Sequence, residues 1–203
     1  MNNDCIFSSL LYLGNTGILN NLLTCKCASL INTKYLWKLL CERNYKSEYD
    51  KFNNKSYYDV YKLCTQLTIL INKLTLKYTP YELYTIKELY YSQKSLMHLP
   101  NEICNLVNLQ MLILSNNELV DIPIKICNLT NLQELYLDNN KLNSIPNEIN
   151  QLTNLKILDL YNNKLTSVPM ELSQMKNLKE LNLENNNIKW IPTGLLKIKK
   201  FYI

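Results

Sequence analysis

Cysteine and histidine are the residues of this 203-residue chain whose chemistry would suit metal binding or nucleophilic catalysis. Of the seven cysteines, Cys25 and Cys27 are separated by one residue, closer than the usual spacing of paired zinc ligands. Cys104 and Cys127 lie 23 residues apart, and the sole histidine, His98, is distant from the first pair. No glycine-rich phosphate loop occurs among the three glycines. We therefore predict no catalytic residues, no metal site and no cofactor.

The cysteine content also bears on the cellular compartment. An odd number of cysteines, in a chain long enough to bury a sizeable core, favours reduced thiols over a disulfide framework. No apolar run is long enough to span a membrane. The apolar segment 5–13 follows Asp4 without a positively charged leader, which argues against a signal peptide. The sequence predicts an intracellular protein, cytoplasmic or nuclear, that does not bind membranes.

A second group of residues is suited to binding rather than to catalysis. Acidic, aromatic and apolar side chains recur beside regularly spaced leucines, and none of these positions holds a lysine. The candidate partner-binding residues are Glu88, Tyr90, Met111, Ile113, Glu134, Tyr136, Asp138, Ile157, Asp159, Tyr161, Glu180, Asn182 and Glu184. Like charges on one surface steer an oppositely charged ligand, and tyrosines are favoured in interfaces. We predict a protein partner with a basic surface.

A repeat of 23 residues must position these side chains. One column of leucines consists of Leu112, Leu135, Leu158 and Leu181, and the repeated pattern is L-x-x-L-x-L-x-x-N-x-L. The two leucines of L-x-L are two residues apart, so they point to the same side of a short strand. Stacked repeats then form a parallel sheet, with the leucines in a continuous core and the intervening residues outside.

Asparagine occupies the turn that follows each predicted strand. Asn117 recurs as Asn140, Asn163 and Asn186. An amide directed inward can satisfy turn backbone groups that would otherwise be buried without partners. Lys94 stands at this position in the first repeat, so that turn is predicted to lack an internal amide. Phe201 lies 23 residues after Leu178, which predicts that a last, partial repeat begins there.

These columns resemble the leucine-rich repeats of intracellular, ligand-binding solenoids, and the resemblance covers residues 86–203. It implies an α/β fold in which a solenoid carries a parallel sheet on its concave face. The predicted domain spans 81–203, with repeats at about 86–108, 109–131, 132–154, 155–177 and 178–200 and a stub at 201–203. The candidate partner-binding residues would lie on the concave face.

The first 80 residues do not share the period, and their apolar spacing is helical. Ile6, Leu10 and Leu13 are spaced as on one face of a helix, and Ser56 is suited to N-cap a later helix through Leu67. This part holds 10 basic and 5 acidic residues, whereas 81–203 holds 12 of each, so the net charge of +5 resides here. The basic residues are spread over several predicted helices, which argues against a nucleic-acid partner.

The order of landmarks in this region resembles the F-box, a small all-α domain that docks on a Skp-type adaptor of cullin–RING ubiquitin ligases. Thr24-Cys25-Lys26 follows Leu13 at the family's spacing, and Leu36-Trp37 comes next. The chain departs from the family in lacking the opening proline and in having Ala28 at a usual tryptophan position. The adaptor-binding residues implied by the resemblance are Met1, Asp4, Ile6, Leu10, Leu13, Ile18, Leu22 and Cys25.

Together the two resemblances predict a substrate adaptor of a cullin–RING ubiquitin ligase. An F-box-like helical domain over residues 1–80 would bind the Skp-type adaptor, and the repeats would bind a protein substrate. The alternative is a stand-alone repeat scaffold for protein interactions. In that case the N-terminal helices would serve as a cap, because the end of a solenoid needs to be covered.

Overall fold

The structure, a computed structural model, describes residues 33–52 and 55–203. The chain divides into two compact units, residues 1–64 and 65–203. Within residues 33–52 and 55–203, the helices that precede the sheet are α1 (Thr33–Tyr49), α2 (Tyr57–Leu74) and α3 (Pro80–Thr85). The predicted domain boundary near residue 80 stays a prediction.

In the first unit, α1 and the beginning of α2 share an apolar core. Cys41 and Cys64 are fully buried there, and the Cys41 thiol donates a hydrogen bond to the Tyr57 carbonyl oxygen at 3.1 Å. The rings of Tyr49 and Tyr57 stack with their centroids 4.2 Å apart. Helix α1 is interrupted at Tyr45, whose φ of −139° and ψ of 32° lie outside the helical region.

Both α2 and α3 begin with a side-chain cap. Ser56 Oγ accepts a hydrogen bond from the Asp59 N–H at 3.2 Å, which confirms the predicted N-cap. At the start of α3, Thr79 Oγ1 accepts from the Glu82 N–H at 3.3 Å, and Glu82 Oε2 accepts from the Thr79 N–H at 2.8 Å. Such caps satisfy the N–H groups that the first turn of a helix leaves unpaired, so both helices begin at defined residues.

Within the second unit, the end of α2 and helix α3 are joined to the first repeat. Lys73 Nζ lies 3.0 Å from Glu102 Oε1, and Asn108 Nδ2 donates to the Tyr84 carbonyl oxygen at 2.9 Å. Four leucines of these helices are almost fully buried: Leu67, Leu70, Leu74 and Leu83. The helical segment 65–85 therefore acts as an N-terminal cap of the repeats.

The repeats form one parallel sheet whose strands follow each other in sequence order. Its strands are β1 (Glu88–Tyr90), β2 (Met111–Ile113), β3 (Glu134–Tyr136), β4 (Ile157–Asp159), β5 (Glu180–Asn182) and β6 (Lys200–Tyr202). The central leucines of β1–β5 pair in register, and each is at most 2% exposed. Each such burial contributes roughly 1.5–3 kcal/mol. The predicted parallel sheet and leucine core are confirmed.

Proline sets the return path from each strand. The residues Pro100, Pro123, Pro146, Pro169 and Pro192 each directly precede a short 3₁₀ helix. These helices are Asn101–Asn105, Ile124–Asn128, Asn147–Gln151, Met170–Gln174 and Thr193–Lys197. The proline carbonyl accepts the first hydrogen bond, as from the Ile126 N–H to Pro123 at 2.9 Å. Because proline restricts φ, the chain enters the 3₁₀ helix of every repeat with nearly the same backbone conformation.

The asparagine column joins neighbouring repeats. Asn140 Nδ2 donates to the carbonyl oxygens of Leu114 and Leu137 at 3.0 Å each, and its Oδ1 accepts from the Leu119 N–H at 3.0 Å. Leu114 and Leu119 belong to the preceding repeat. The predicted inward amide is therefore present, and it satisfies backbone groups of two repeats at once.

The turn at Lys94 differs from the prediction, because it does have an internal amide. Asn117 of the next repeat supplies its Oδ1, which accepts from the N–H groups of Lys94 at 3.0 Å and Leu96 at 3.1 Å. Its Nδ2 donates to the Tyr91 carbonyl oxygen at 2.8 Å. Each asparagine bonds the turn that precedes it in the stack as well as its own turn, so Asn117 serves the first turn, which has no such asparagine of its own.

A second asparagine ladder, which we did not predict, crosses the repeats where the chain re-enters the sheet. Asn131 Nδ2 donates to the Val107 carbonyl oxygen, and Asn154 Nδ2 to that of Thr130, both at 2.8 Å. Asn177 repeats the bond to Thr153 at 2.7 Å. The signal was present in the sequence, since these asparagines also recur every 23 residues.

The last repeat is shorter than the period predicts. Phe201 pairs with Leu181, 20 residues earlier, rather than occupying the column of Leu178. Residues 200–202 are therefore strand β6 and not the start of a further repeat. The segment between the last 3₁₀ helix and β6 is shorter than the corresponding segment of the other repeats. As a result, Lys200 stands beside Glu180 at an outward position of the sheet.

Candidate functional site

The outward side chains of the sheet and of the turns after it form three rows, which we call the sheet face. The first row contains Glu88, Met111, Glu134, Ile157, Glu180 and Lys200, and the second contains Tyr90, Ile113, Tyr136, Asp159, Asn182 and Tyr202. The third continues the same register with Ser115, Asp138, Tyr161 and Glu184. All thirteen candidate partner-binding residues thus lie on one face. Their role in binding stays a prediction.

Most side chains of the sheet face are only partly accessible. Tyr90 is 62% exposed, and Glu88 and Glu184 are also exposed, but the other candidates are half-buried. The acids of the middle strands therefore point outward without being fully solvated. Parallel strands lie about 4.8 Å apart, so each inner side chain is covered on both sides by its row neighbours.

Two tyrosine hydroxyls of the second row are bound to glutamates of the first. Tyr90 Oη donates to Glu88 Oε2 at 2.8 Å, and Tyr136 Oη donates to Glu134 Oε2 at 3.0 Å. Burial, together with the bond to Glu134, raises the pKa of Tyr136 to about 12. Both rings remain available as contact surfaces, but their hydroxyl protons already have acceptors.

The acids of the middle strands lie close enough to affect one another. Burial raises the pKa of Asp159, and the charges of Asp138 and Glu180 raise it further, whereas a hydrogen bond from the Tyr161 N–H lowers it. That bond is 3.0 Å long. Asp138 also accepts a short hydrogen bond from Ser115 Oγ. Negative potential is therefore concentrated near Asp159.

Strand β6 places a base among these acids, which corrects the prediction that the face has no lysine. Lys200 Nζ lies 3.0 Å from Glu180 Oε2. The periodic pattern missed Lys200 because the last repeat is three residues shorter than the others, which moves this residue into the first row. Among the described residues, none of the other five acids of the face has a cation within 4.0 Å.

Changing Asp159 to Asn is expected to raise the melting temperature slightly at pH 7, by about 1–2 °C. A raised pKa means that the folded chain holds the Asp159 proton more tightly than the unfolded chain, so ionisation destabilises the fold as pH rises. The gain in melting temperature should be full at neutral pH. It should disappear as the pH falls through the raised pKa of folded Asp159 towards the ordinary aspartate value of 3.8. Thermal unfolding of the wild-type chain and of Asp159→Asn across this pH range measures the difference in melting temperature. A difference that did not change with pH would contradict this account.

The adaptor-binding residues predicted from the F-box resemblance lie outside the described residues. They are Met1, Asp4, Ile6, Leu10, Leu13, Ile18, Leu22 and Cys25.

The described cysteines show no sign of activation. Burial raises the pKa of Cys64 to about 12, and those of Cys41, Cys104 and Cys127 to about 11. These thiols therefore stay protonated at neutral pH, whereas the thiolate is the reactive form. Within residues 33–52 and 55–203, no group of at least three acidic, histidine or cysteine side chains could hold a metal ion. No helix there is long and apolar enough to cross a membrane.

Comparison with solved structures finds similar repeats in several proteins. A leucine-rich repeat protein of Leptospira interrogans is 42% identical with a TM-score of 0.55, over 59% of this chain and 31% of its own. A plant ice-binding protein is 31% identical with a TM-score of 0.46, over 53% of this chain and 35% of its own. The BIR2 ectodomain from Arabidopsis thaliana is 26% identical with a TM-score of 0.48, over 55% of this chain and 67% of its own.

The chain thus spans about a third of the length of the first two of these structures. No curated protein matches it. The family model described as leucine-rich repeat region matches residues 66–200, which is more than half of the chain. That match agrees with the six-stranded parallel sheet and its leucine core. The chain belongs to the leucine-rich repeat family.

Proposed function

We propose that this chain is a protein-interaction scaffold whose sheet face binds a basic protein partner. The observation that carries the proposal is the set of five acids on this face without a cation within 4.0 Å in the described residues. Tyrosine, isoleucine and methionine side chains, all of them half-buried except the exposed Tyr90, lie between them. Aromatic and apolar contacts provide affinity in interfaces, and the acids orient the encounter.

Several like charges on one face should speed the association of a basic ligand, and added salt should slow it. Nothing in the arrangement of the described residues calls for catalysis, so we propose binding as the whole of the activity. We also propose a reducing intracellular compartment, cytoplasmic or nuclear. This is supported by the four free cysteines of the described residues.

A fourfold amide variant tests the binding face: Glu134→Gln, Asp138→Asn, Asp159→Asn and Glu180→Gln. It should slow the association of a lysine-rich synthetic peptide about tenfold at low salt, since it removes most of the field that steers the peptide. Surface plasmon resonance measures the rate. The matched control carries Glu118→Gln, Asp121→Asn, Glu148→Gln and Glu171→Gln, which remove the same charge outside the three rows. Equal association rates for the two variants would overturn the proposal.

We propose further that the N-terminal part is an F-box-like helical domain over residues 1–80 that docks on a Skp-type adaptor. The chain would then present its bound substrate to a cullin–RING ubiquitin ligase. The support is in the sequence: the order of Leu13, Thr24-Cys25-Lys26 and Leu36-Trp37. The proposal concerns only this link and leaves the sheet face as the substrate site.

Co-purification tests the adaptor proposal directly. The full chain, coexpressed with a Skp-type adaptor, should elute with it as one complex. Leu13→Asp and Ile18→Asp should each abolish the complex, because a charge would enter an apolar contact. The control Leu196→Asp, at a site 66% exposed in the last repeat, should retain it. Absence of a complex at micromolar concentrations would reject the adaptor role.

A stand-alone scaffold is the second candidate, and one observation favours it. Residues 65–85 already cap the first repeat through the Lys73–Glu102 ion pair and the bond from Asn108 to Tyr84. An end cap is what a solenoid requires for solubility. The repeats would then need no further domain to fold, and a failed co-purification would leave this function in place.

A further inference from the structure

Acidic and apolar side chains alternate across the strands of the sheet face. In register, the first row reads Glu88, Met111, Glu134, Ile157, Glu180 and Lys200. Neighbouring strands lie about 4.8 Å apart, so successive glutamates are about 10 Å apart with an apolar side chain between them. A ligand that matches this row must alternate basic and apolar groups at the same spacing.

Tyrosines orient the first two glutamates of the row. The sequence Glu-Leu-Tyr occurs in both β1 and β3, and each tyrosine hydroxyl donates to Oε2 of its glutamate, at 2.8 Å for Glu88 and 3.0 Å for Glu134. These bonds limit the rotamers of both carboxylates before a ligand arrives. A ligand therefore has less side-chain entropy to remove when it binds.

Lys200 provides an internal example of the contact that a ligand would make. Its Nζ lies 3.0 Å from Glu180 Oε2, across the β5–β6 pair. Within the part of the chain that the structure describes, Glu88 and Glu134 have no such cation. The chain thus neutralises the glutamate of β5 itself and leaves those of β1 and β3 for a partner.

The spacing favours a helical ligand over an extended one. One turn of α-helix rises about 5.4 Å, close to the distance between strands, so residues i, i+4 and i+7 reach successive strands from one helix face. In an extended segment, side chains on one face lie about 6.8 Å apart, and the mismatch grows with each strand. A second copy of this chain would bring its own acidic face and be repelled.

The geometry points to a partner segment that is an amphipathic α-helix lying across the strands, with basic residues at i and i+7 bound to Glu88 and Glu134. An apolar residue at i+3 or i+4 would then lie against Met111 and Ile113. This inference rests on the proposed function and deepens it, because it names the class of segment that the sheet face takes.

Two alanine-rich synthetic peptides of identical composition and equal helicity test the inference. The first has lysines at i and i+7 with leucine at i+3 and i+4, and the second has the lysines on opposite faces. Fluorescence anisotropy should show that the full chain binds the first about tenfold more tightly. Glu88→Gln and Glu134→Gln should each weaken the binding of the first peptide by about two- to fivefold, as expected for the loss of an exposed ion pair. Glu171→Gln, outside the sheet face, should have no effect.

Lys200→Ala supplies a gain of function. It frees Glu180, so a longer peptide with a third lysine at i+14 should bind this variant more tightly than the wild-type chain, by about two- to fivefold. The peptide with two lysines should gain less, because freeing Glu180 offers it only a second register over Glu134 and Glu180. If both peptides of identical composition bound with equal affinity and the fourfold amide variant bound neither, the helical spacing would be wrong. The proposed function would still stand in that case. No binding of either peptide at millimolar concentration would overturn both.

Discussion

Replacing Leu135 with alanine is expected to lower the free energy of unfolding by about 2–5 kcal/mol. Leu135 is the central residue of β3, paired with Leu112 and Leu158 on its two sides, and is 1% exposed. The substitution opens a cavity between neighbouring repeats. The flanking leucines cannot move to fill it, since each is held in its own strand. Urea unfolding of the full chain, followed by circular dichroism, measures the loss.

The matched control is Leu196→Ala in the last 3₁₀ helix. Leu196 is 66% exposed, so the same substitution should change stability by no more than about 0.5 kcal/mol. If Leu135→Ala were as stable as the wild-type chain, the buried register of the leucine column would be wrong. A large loss in the control instead would mean that the last repeat is packed more tightly than its exposure indicates.

Changing Asn140 to alanine should cost about 1–3 kcal/mol, because buried backbone groups lose their partners. Asn140 is 8% exposed. Its amide bonds the carbonyl oxygens of Leu114 and Leu137 and the Leu119 N–H, all at 3.0 Å. Water cannot replace these bonds without opening the turn. Thermal unfolding of the variant beside the wild-type chain gives the magnitude.

Asn143→Ala is the matched control, because it removes an asparagine that lies three residues after Asn140. Asn143 is exposed, so its removal should leave stability within about 0.5 kcal/mol of wild type. Asn140→Ala should also leave binding at the sheet face intact once the chain is folded. A variant of Asn140 that kept full stability but lost its ligand would make this column a binding element rather than a structural one.

The repeat architecture could be predicted from spacing because the inward and outward positions of a strand are local properties. Alternation of two residues places Leu112 and Leu114 on one side whatever their neighbours are. The same argument placed Glu134, Tyr136 and Asp138 together on the outer side. Periodicity therefore predicted the rows of the sheet face as well as the core, since both follow from the same alternation.

Several turn residues had a local signal that the column pattern did not exploit. Gln93, Asn116, Asn139, Asn162 and Asn185 all adopt positive φ, between 51° and 58°. Asparagine tolerates this left-handed conformation better than most residues, so four of the five positions suit their backbone. Their local role is to let the chain turn after each strand.

Residue spacing is sufficient to predict the leucine core, the parallel sheet and the set of side chains that share the sheet face. Which groups meet between repeats depends on the tertiary structure. It gave the Lys94 turn the amide of Asn117, and it paired Lys200 with Glu180 after a shortened last repeat. The physical reason is that alternation along a strand is set by the backbone of that strand. Hydrogen bonds and ion pairs between repeats depend instead on how one repeat stacks on the next.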